Sequence, residues 1–129
     1  MDSAARLLLV EEDDLLADII SFRLELLGYH VQRIRAGEQL LQEISQDLPH
    51  LILMDRHLPD MDGIDLVNRV NTDPRTNPVP ILMFSIDSDL EQVERAFTAG
   101  ANDYLVIPFD PTVLEDKIER LLEATIVNK

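Results

Sequence analysis

The chain has 129 residues, of which 46% are apolar, 25 are acidic and 11 are basic, so its formal net charge is -14. This length suits one ordinary domain with a single core. So acidic a surface argues against direct contact with nucleic acid or an anionic membrane, but it leaves basic protein partners open. The absence of cysteine excludes disulfides and thiol chemistry. We expect one cytoplasmic domain over residues 1–129, without a signal peptide or a membrane span.

Short apolar runs alternate along the chain with longer segments of helical spacing. The runs predict strands at residues 6–11, 30–34, 51–55, 79–85 and 103–107. The other segments predict helices, and their spacing assigns a set of apolar side chains to the inner helix faces. In chain order this set is Leu16, Ile19, Ile20, Leu24 and Leu27, then Leu40, Leu41, Ile44 and Leu48, then Ile64, Val67 and Val70, then Leu90, Val93 and Phe97, and finally Leu114, Ile118, Leu121, Leu122 and Thr125.

Residues typical of helix ends mark several bounds of these helices. Gly28 follows the first helical segment, where a left-handed residue commonly ends a helix. Ser88 and Glu91 have the spacing of a capping box, which predicts the start of the fourth helix. Asp110 is the predicted cap of the last helix, and Pro111 is its predicted first residue.

The succession of strand and helix predicts an α/β domain with a parallel sheet covered by helices on both faces. The first, third and fourth strands are almost wholly apolar, as buried central strands are, whereas "HVQRI" alternates and suits an edge. Four acids at 11–14 follow the first strand, Asp55 ends the third and Ser85 ends the fourth. Because parallel strands share one carboxyl edge, we expect these polar residues to cluster there.

Such a cluster of carboxylates is unfavourable unless a cation neutralises it, because the charges repel one another. A hard divalent ion such as Mg²⁺ prefers a few carboxylate oxygens, a backbone carbonyl and water. A carboxylate beside such an ion can also attack phosphorus and form an aspartyl phosphate. The cluster therefore indicates a magnesium site with a nucleophilic aspartate; a strand-end cap and a solvated acidic loop are the structural alternatives.

With these residues in place, the sequence resembles the receiver domain of two-component response regulators. The resemblance is carried by "LLLVEEDD", "HLILMDRHLPDMDGIDLV", "VPILMFS" and "AGANDYLVIPFDP", which occur in the family's order and spacing over nearly the whole chain. It implies a doubly wound (βα)5 fold of the flavodoxin and CheY type, with five parallel strands in the order 2-1-3-4-5. It also implies a signalling domain that is not an enzyme.

The resemblance implies roles for residues at the acidic edge. Asp55 matches the phosphoacceptor, which takes a phosphoryl group from a histidine kinase or a phosphotransfer protein. Glu11 and Glu12 match the acidic pair that holds Mg²⁺ together with Asp55. His57 matches the position whose backbone carbonyl binds the ion, and Ser85 matches the switch hydroxyl.

Further matches concern the response to phosphorylation. Tyr104 matches the switch aromatic that changes rotamer, and Pro108 matches the proline after a cis peptide bond. In the family, the face made by helix 4, strand 5 and helix 5 then changes its interaction with a partner. We expect this face to bind a downstream protein, and it is also a candidate homodimer surface.

Three positions depart from the family pattern. Ile107 replaces a lysine, so the site lacks a cation whose charge-assisted bond is typically worth about 1.5–3 kcal/mol. Glu12 stands where Asp is the rule, and its extra methylene shifts an oxygen that Mg²⁺ needs in strict geometry. Ile86 replaces a small residue and is expected to narrow access to the site. Arg56 and His57 are interpreted as surface residues, although either base is available to replace the lysine.

Two other function classes remain beside a phosphorylated receiver with atypical switching. One is a pseudo-receiver, a protein-interaction module independent of phosphorylation. The three departures favour it, whereas Asp55 and the intact "LPDMDG" disfavour it. The other is a metal-dependent phosphatase with an aspartyl nucleophile, but His57 stands where its second catalytic acid would be. A P-loop is excluded because no Gly-Lys-Ser/Thr occurs, and acids fill the loop that a flavin phosphate would need.

Overall fold

Strands and helices alternate strictly along the chain in the computed structural model, which describes residues 4–127, with side chains to residue 124. The strands are β1 Arg6–Val10, β2 His30–Ile34, β3 Leu51–Asp55, β4 Ile81–Ser85 and β5 Asp103–Val106. The helices are α1 Asp14–Leu26, α2 Gly37–Gln46, α3 Gly63–Thr72, α4 Leu90–Ala99 and α5 Pro111–Val127. The side chain of Thr125, assigned above to an inner face, lies outside the described residues.

The five strands are parallel and follow the order β2-β1-β3-β4-β5, which confirms the predicted fold and the edge position of β2. The strand order reverses between β1 and β3, and the register there pairs Val10 with Met54. On the other side of β3, Asp55 pairs with Phe84, one residue before Ser85. The loops that leave β1, β3 and β4 therefore open at one edge of the sheet, where a doubly wound fold places its site.

The sheet separates two apolar layers, because successive side chains of a strand point to opposite faces. In β1, Leu8 and Val10 face the layer covered by α2, α3 and α4, whereas Leu7 and Leu9 face the layer covered by α1 and α5. All four are fully buried, and burying each contributes about 1.5–3 kcal/mol. Within residues 4–127, no helix is long and apolar enough to cross a membrane.

The inner face of α1 is narrower than its spacing predicted. Ile20 and Leu24 are buried, as expected, but Ile19 and Leu27 are more than half exposed, so their assignment was wrong. Ala17 takes the third buried position instead. The small side chain of Ala17 lets the helix lie close to the sheet. The larger side chains of Ile19 and Leu27 then lie at the sides of the helix, outside the buried contact.

Helix α4 also differs from the prediction, both in its buried face and in the residue at which it begins. Ala96 is its one buried residue, while Leu90 and Phe97 are exposed, contrary to their assignment. The helix begins at Leu90 after Asp89, which makes no side-chain cap hydrogen bond, so the capping box of Ser88 and Glu91 is absent. Leu48 is likewise exposed, because α2 ends before it.

Other predicted ends are confirmed. Gly28 has a φ of 94° directly after the cap of α1. The carboxylate of Asp110 accepts a hydrogen bond from the backbone N–H of Thr112 at 2.9 Å, and α5 begins at Pro111. The strands β1, β4 and β5 are one or two residues shorter than the apolar runs that predicted them. These small differences leave the carboxyl edge of the sheet where the sequence placed it.

Two adjacent isoleucines test the orientation of α1. Ile20 is 1% exposed and Ile19 is 51% exposed. We expect Ile20→Ala to lower the free energy of unfolding by about 2–5 kcal/mol through a cavity, and Ile19→Ala to change it by about 0.5 kcal/mol or less. Urea unfolding followed by circular dichroism measures both. Equal losses in the two variants would contradict this orientation.

Candidate functional site

The loop after β1, residues 11–14, carries four acids that the structure uses differently. Glu11 is only 2% exposed. Its Oε2 accepts a hydrogen bond from the N–H of Asp13 at 2.8 Å, whereas its Oε1 is buried without a hydrogen-bond partner. Asp13 caps α1, since its Oδ1 accepts from the N–H of Leu15 at 2.9 Å. We call residues 11–14 the acidic loop.

Asp55 stands next to Glu11 across the β1–β3 boundary, as the strand order requires. Burial, together with the adjacent carboxyl group of Asp55, raises the pKa of Glu11 from 4.5 to about 8. Asp55 is half-buried, and its Oδ1 accepts a hydrogen bond from the N–H of His57 at 2.9 Å. The two carboxyl groups are therefore close enough to share a proton, and without that proton Oε1 of Glu11 has no hydrogen-bond donor.

Glu12, the other predicted ligand, has an exposed side chain. In the described part of the chain, no group of three or more Asp, Glu or His side chains is arranged to hold a metal ion. The structure thus brings Glu11 and Asp55 together but leaves Glu12 outside their contact. A cation held here would rely on two carboxylates, with backbone carbonyl groups and water completing its ligands.

Ser85 is fully buried at the end of β4, and its hydroxyl group is engaged with Asp87. The Oγ of Ser85 donates to Oδ2 of Asp87 at 3.1 Å and accepts from the N–H of Asp87 at 3.0 Å. The hydroxyl of Tyr104, which is buried, donates to the backbone carbonyl of Asp87 at 2.7 Å. Ser85 and Tyr104 therefore both bind the loop that leads into α4.

Arg56 is buried, 6% exposed, so its interpretation as a surface residue was wrong. Its guanidinium contacts Oδ2 of Asp87 at 3.2 Å and lies 3.5 Å from Oδ1 of Asp62. It also donates to the side chain of Gln92 in α4. The loop after β3 packs closely against the start of α3. A Cβ on Gly63 would lie 2.8 Å from the backbone of Arg56, so only glycine fits there. Arg56 thus ties the end of β3 to the start of α4.

His57 is exposed, as predicted, but it is not without a partner. Its Nε2 lies 2.8 Å from Oδ2 of Asp87. The hydrogen bond with His57 is the main cause that holds the pKa of Asp87 below its usual range, with help from the Ser85 hydroxyl and the Arg56 charge. Arg56 and His57, the two bases available to replace the lysine, are therefore directed at Asp87.

Ile107 stands at the position of the missing lysine and is half-buried against the layer of α1 and α5. Its N–H donates to the carbonyl of Ser85 at 2.8 Å, and its peptide bond to Pro108 is cis, as the resemblance implied. Among the described residues, the one lysine is Lys117, which pairs with Asp103 at 3.0 Å. In the described part of the chain, no ammonium group therefore takes the place of the lysine.

The sequence reasoning missed Asp87 and Arg33. A signal for Asp87 was available, since an acid two residues after Ser85 lies in a loop at the same edge of the sheet. A signal for Arg33 was also available, because the strand order places a basic residue of β2 beside the acidic loop. Both residues lie outside the motifs that carry the family resemblance.

Known proteins match this chain over most of its length. The sequence profile of the response regulator receiver domain matches residues 7–119. The DNA-binding dual master transcriptional regulator RpaA of Synechocystis sp. PCC 6803 is 33% identical over 93% of the chain, which spans 50% of that protein. The chemotaxis protein CheY1 of Helicobacter pylori is 34% identical over 91% of the chain and 96% of that protein.

A solved structure agrees with this match. The receiver domain of a sensor histidine kinase from Pseudomonas aeruginosa PAO1, which has a magnesium ion coordinated in its active site cleft, superposes with a TM-score of 0.86. It is 28% identical, and the match covers 94% of this chain and 99% of that one. Together with the β2-β1-β3-β4-β5 sheet and the pair of carboxyl groups at its edge, these matches show that the chain belongs to the family of response regulator receiver domains.

Proposed function

We propose that this receiver domain takes a phosphoryl group on Asp55, in the presence of Mg²⁺, and signals by changing its binding to a protein partner. The observation that carries the proposal is the closeness of the carboxyl groups of Asp55 and Glu11 at the strand-order reversal. The phosphoryl donor would be a histidine kinase or a phosphotransfer protein. The domain would act as acceptor and switch rather than as an enzyme, and we place it in the cytoplasm.

Phosphoryl transfer needs one free oxygen of Asp55 facing the donor. The N–H of His57 donates to Oδ1 of Asp55 at 2.9 Å, so Oδ2 is the oxygen that would attack. A new O–P bond would form as the P–N bond of a phosphohistidine breaks, and the electron pair would return to the donor's imidazole. Among the residues that the structure describes, no side-chain cation pairs with Asp55, since Ile107 has replaced the lysine.

The residues at this edge fit Mg²⁺. Oε1 of Glu11 is buried without a hydrogen-bond partner, and a bound cation would satisfy it. Mg²⁺ commonly binds through one or two carboxylates and keeps several waters, so Glu11, Asp55 and the backbone carbonyl of His57 suffice, with Glu12 as a further candidate. When bound, the ion would neutralise charge on the two carboxylates and on the incoming phosphoryl oxygens.

The response would pass through Ser85 and Asp87. A phosphoryl group on Asp55 would compete for the hydroxyl of Ser85, which now donates to Asp87 at 3.1 Å. Asp87 also binds Arg56, which contacts Gln92 in α4, so a shift of the Asp87 loop would reach that helix. Since Asp87 already engages Ser85 without phosphorylation, the same contacts support the pseudo-receiver as the second candidate.

Two exposed apolar faces suit protein partners. The first, which we call the α1 stripe, consists of Leu15, Ile19, Phe22 and Leu26, spaced so that they lie along one side of α1. It begins beside the acidic loop, and we assign it to the phosphoryl donor. The second, which we call the output face, consists of Ile86, Leu90, Phe97, Val106 and Val113 on α4, β5, α5 and the loop after β4. We assign it to the downstream partner or a second copy of the chain.

Glu11→Gln tests the metal site. A raised carboxyl pKa means that stability is present at low pH and is lost as pH rises. We therefore expect the free energy of unfolding of the metal-free wild type to fall between pH 4.5 and about 8, by on the order of 2–4 kcal/mol. In Glu11→Gln this loss should largely disappear, and Mg²⁺ should stabilise the wild type only. Urea unfolding at several pH values measures both effects, and identical profiles would refute the role of Glu11.

Intact-mass spectrometry tests the acceptor. After incubation with acetyl phosphate and Mg²⁺, the wild type should gain one phosphoryl group, and Asp55→Ala should gain none. A folded wild type that binds Mg²⁺ but gains no phosphoryl group would leave the pseudo-receiver as the better description.

The same spectra show what the missing lysine does. Ile107→Lys restores a cation beside Asp55, and we expect it to raise the phosphorylation rate by about 10-fold or more, as a charge-assisted hydrogen bond allows. An unchanged rate would show that this site does not depend on a cation at position 107.

Two phenylalanines test the two faces. Phe22 in the α1 stripe is 64% exposed, and Phe97 in the output face is 44% exposed. We expect Phe22→Asp to slow phosphorylation by a histidine kinase or phosphotransfer protein about 10-fold or more while acetyl phosphate still labels it normally. Phe97→Asp should leave both reactions unchanged. Equal effects of the two variants would contradict the assignment.

A further inference from the structure

Arg33 lies in the edge strand β2, opposite Leu9 of β1, and its guanidinium reaches over to the acidic loop. Its Nε donates to the backbone carbonyl of Glu11 at 2.7 Å, and its Nη2 donates to the backbone carbonyl of Glu12 at 2.8 Å. Its Nη1 lies 3.0 Å from Oδ1 of Asp14. The planar guanidinium of Arg33 thus contacts the acidic loop at three residues, Glu11, Glu12 and Asp14.

Arg35 provides an internal comparison two residues further along the chain. Its Nη1 lies 2.8 Å from Oδ1 of Asp14, the same carboxylate that Arg33 contacts. The side chain of Arg35 is 58% exposed, against 21% for Arg33. The guanidinium of Arg35 pairs with a carboxylate side chain, whereas that of Arg33 also donates to backbone carbonyl groups. The two arginines bring equal charge to the loop, but Arg33 alone holds the carbonyl groups of the acidic pair.

We propose that Arg33 is a positioning residue for cation binding: it fixes the backbone of Glu11 and Glu12 so that their carboxylates are presented in a constant geometry. This inference rests on the proposed Mg²⁺ site of Glu11 and Asp55. Mg²⁺ demands nearly ideal geometry, so its affinity depends on how rigidly its ligands are held. A guanidinium is suited to this role because its fork of donors is rigid and planar, whereas a lysine ammonium is a single point charge.

The charge of Arg33 and its hydrogen bonds to the backbone would have opposite effects on the affinity for a cation. The positive charge repels Mg²⁺, so a residue that acted only through its charge would weaken binding. The hydrogen bonds to the carbonyl groups of Glu11 and Glu12 hold the ligands in place and strengthen binding. The direction in which affinity changes when Arg33 is replaced therefore separates the two roles.

The test compares Arg33→Gln and Arg33→Lys with Arg35→Gln in the whole chain. Mg²⁺ is titrated into each protein and followed by two-dimensional NMR of the backbone amides. We expect both Arg33 variants to bind Mg²⁺ about 10-fold more weakly than the wild type, the usual range for residues that support a metal ligand. Arg35→Gln should bind within about twofold of the wild type, as an exposed charge contact allows.

A second measurement needs no metal. In the metal-free proteins, hydrogen exchange at the amide of Asp13, which donates to Glu11 at 2.8 Å, should be about 10-fold faster in the Arg33 variants and unchanged in Arg35→Gln. Arg33→Lys keeps the charge and guards against a variant that fails to fold.

Four results would overturn the inference. Tighter Mg²⁺ binding by Arg33→Gln would show that Arg33 acts only as a charge. Wild-type affinity in Arg33→Lys, or unchanged exchange at Asp13, would show that the fork of hydrogen bonds does not hold the loop. A wild type that binds no Mg²⁺ would overturn both this inference and the proposed metal site, whereas the first three results leave the metal site intact.

Discussion

Two carboxyl groups held close together at the end of the sheet govern the rest of this site. Two ionised carboxylates repel each other, but the pairing of β1 with β3 brings Glu11 and Asp55 together. The same pairing buries Glu11. The fold meets this repulsion in part by holding a proton on Glu11, whose pKa is raised to about 8. Once that proton is lost, Oε1 of Glu11 has no hydrogen-bond donor, and the proposed Mg²⁺ would take the place of the proton.

The two basic residues that follow Asp55 in the chain contact a different acid. Arg56 and His57 both meet Asp87, and the hydroxyl of Ser85 donates to the same carboxylate. The structure has thus not replaced the family lysine with another base directed at Asp55. Arg56 and His57 lie in the loop after β3, where they bind an acid in the loop after β4. The family lysine would join β5 to Asp55, whereas the basic residues of this chain join two loops beside Asp55.

Much of this structure was predictable from the sequence, and the two wrongly assigned helix faces share a cause. Strand order, the carboxyl edge and the place of Asp55 follow from apolar runs and from family motifs. The inner faces of α1 and α4 were misassigned because the buried contact is made by Ala17 and Ala96, which contribute little to an apolar pattern.

The apolar spacing of the sequence also does not predict which residues pair with the basic side chains. Arg56 looked like a surface residue because its neighbours in sequence give no sign of Asp87 and Gln92, which come 31 and 36 residues later. Arg33 was overlooked for a similar reason, since its hydrogen bonds to Glu11 and Glu12 span 22 and 21 residues. Pairing across such distances depends on the folded chain, and local spacing does not report it.

The net charge of -14 has a consequence for the speed with which this protein meets other molecules. Two copies approach each other against long-range repulsion, so encounters between their α1 stripes are rare at low ionic strength. A basic protein is instead drawn toward the same surface, and electrostatic steering of this kind can raise association rates by orders of magnitude. An apolar surface that would invite self-association in a neutral protein is thus kept available for partners of opposite charge.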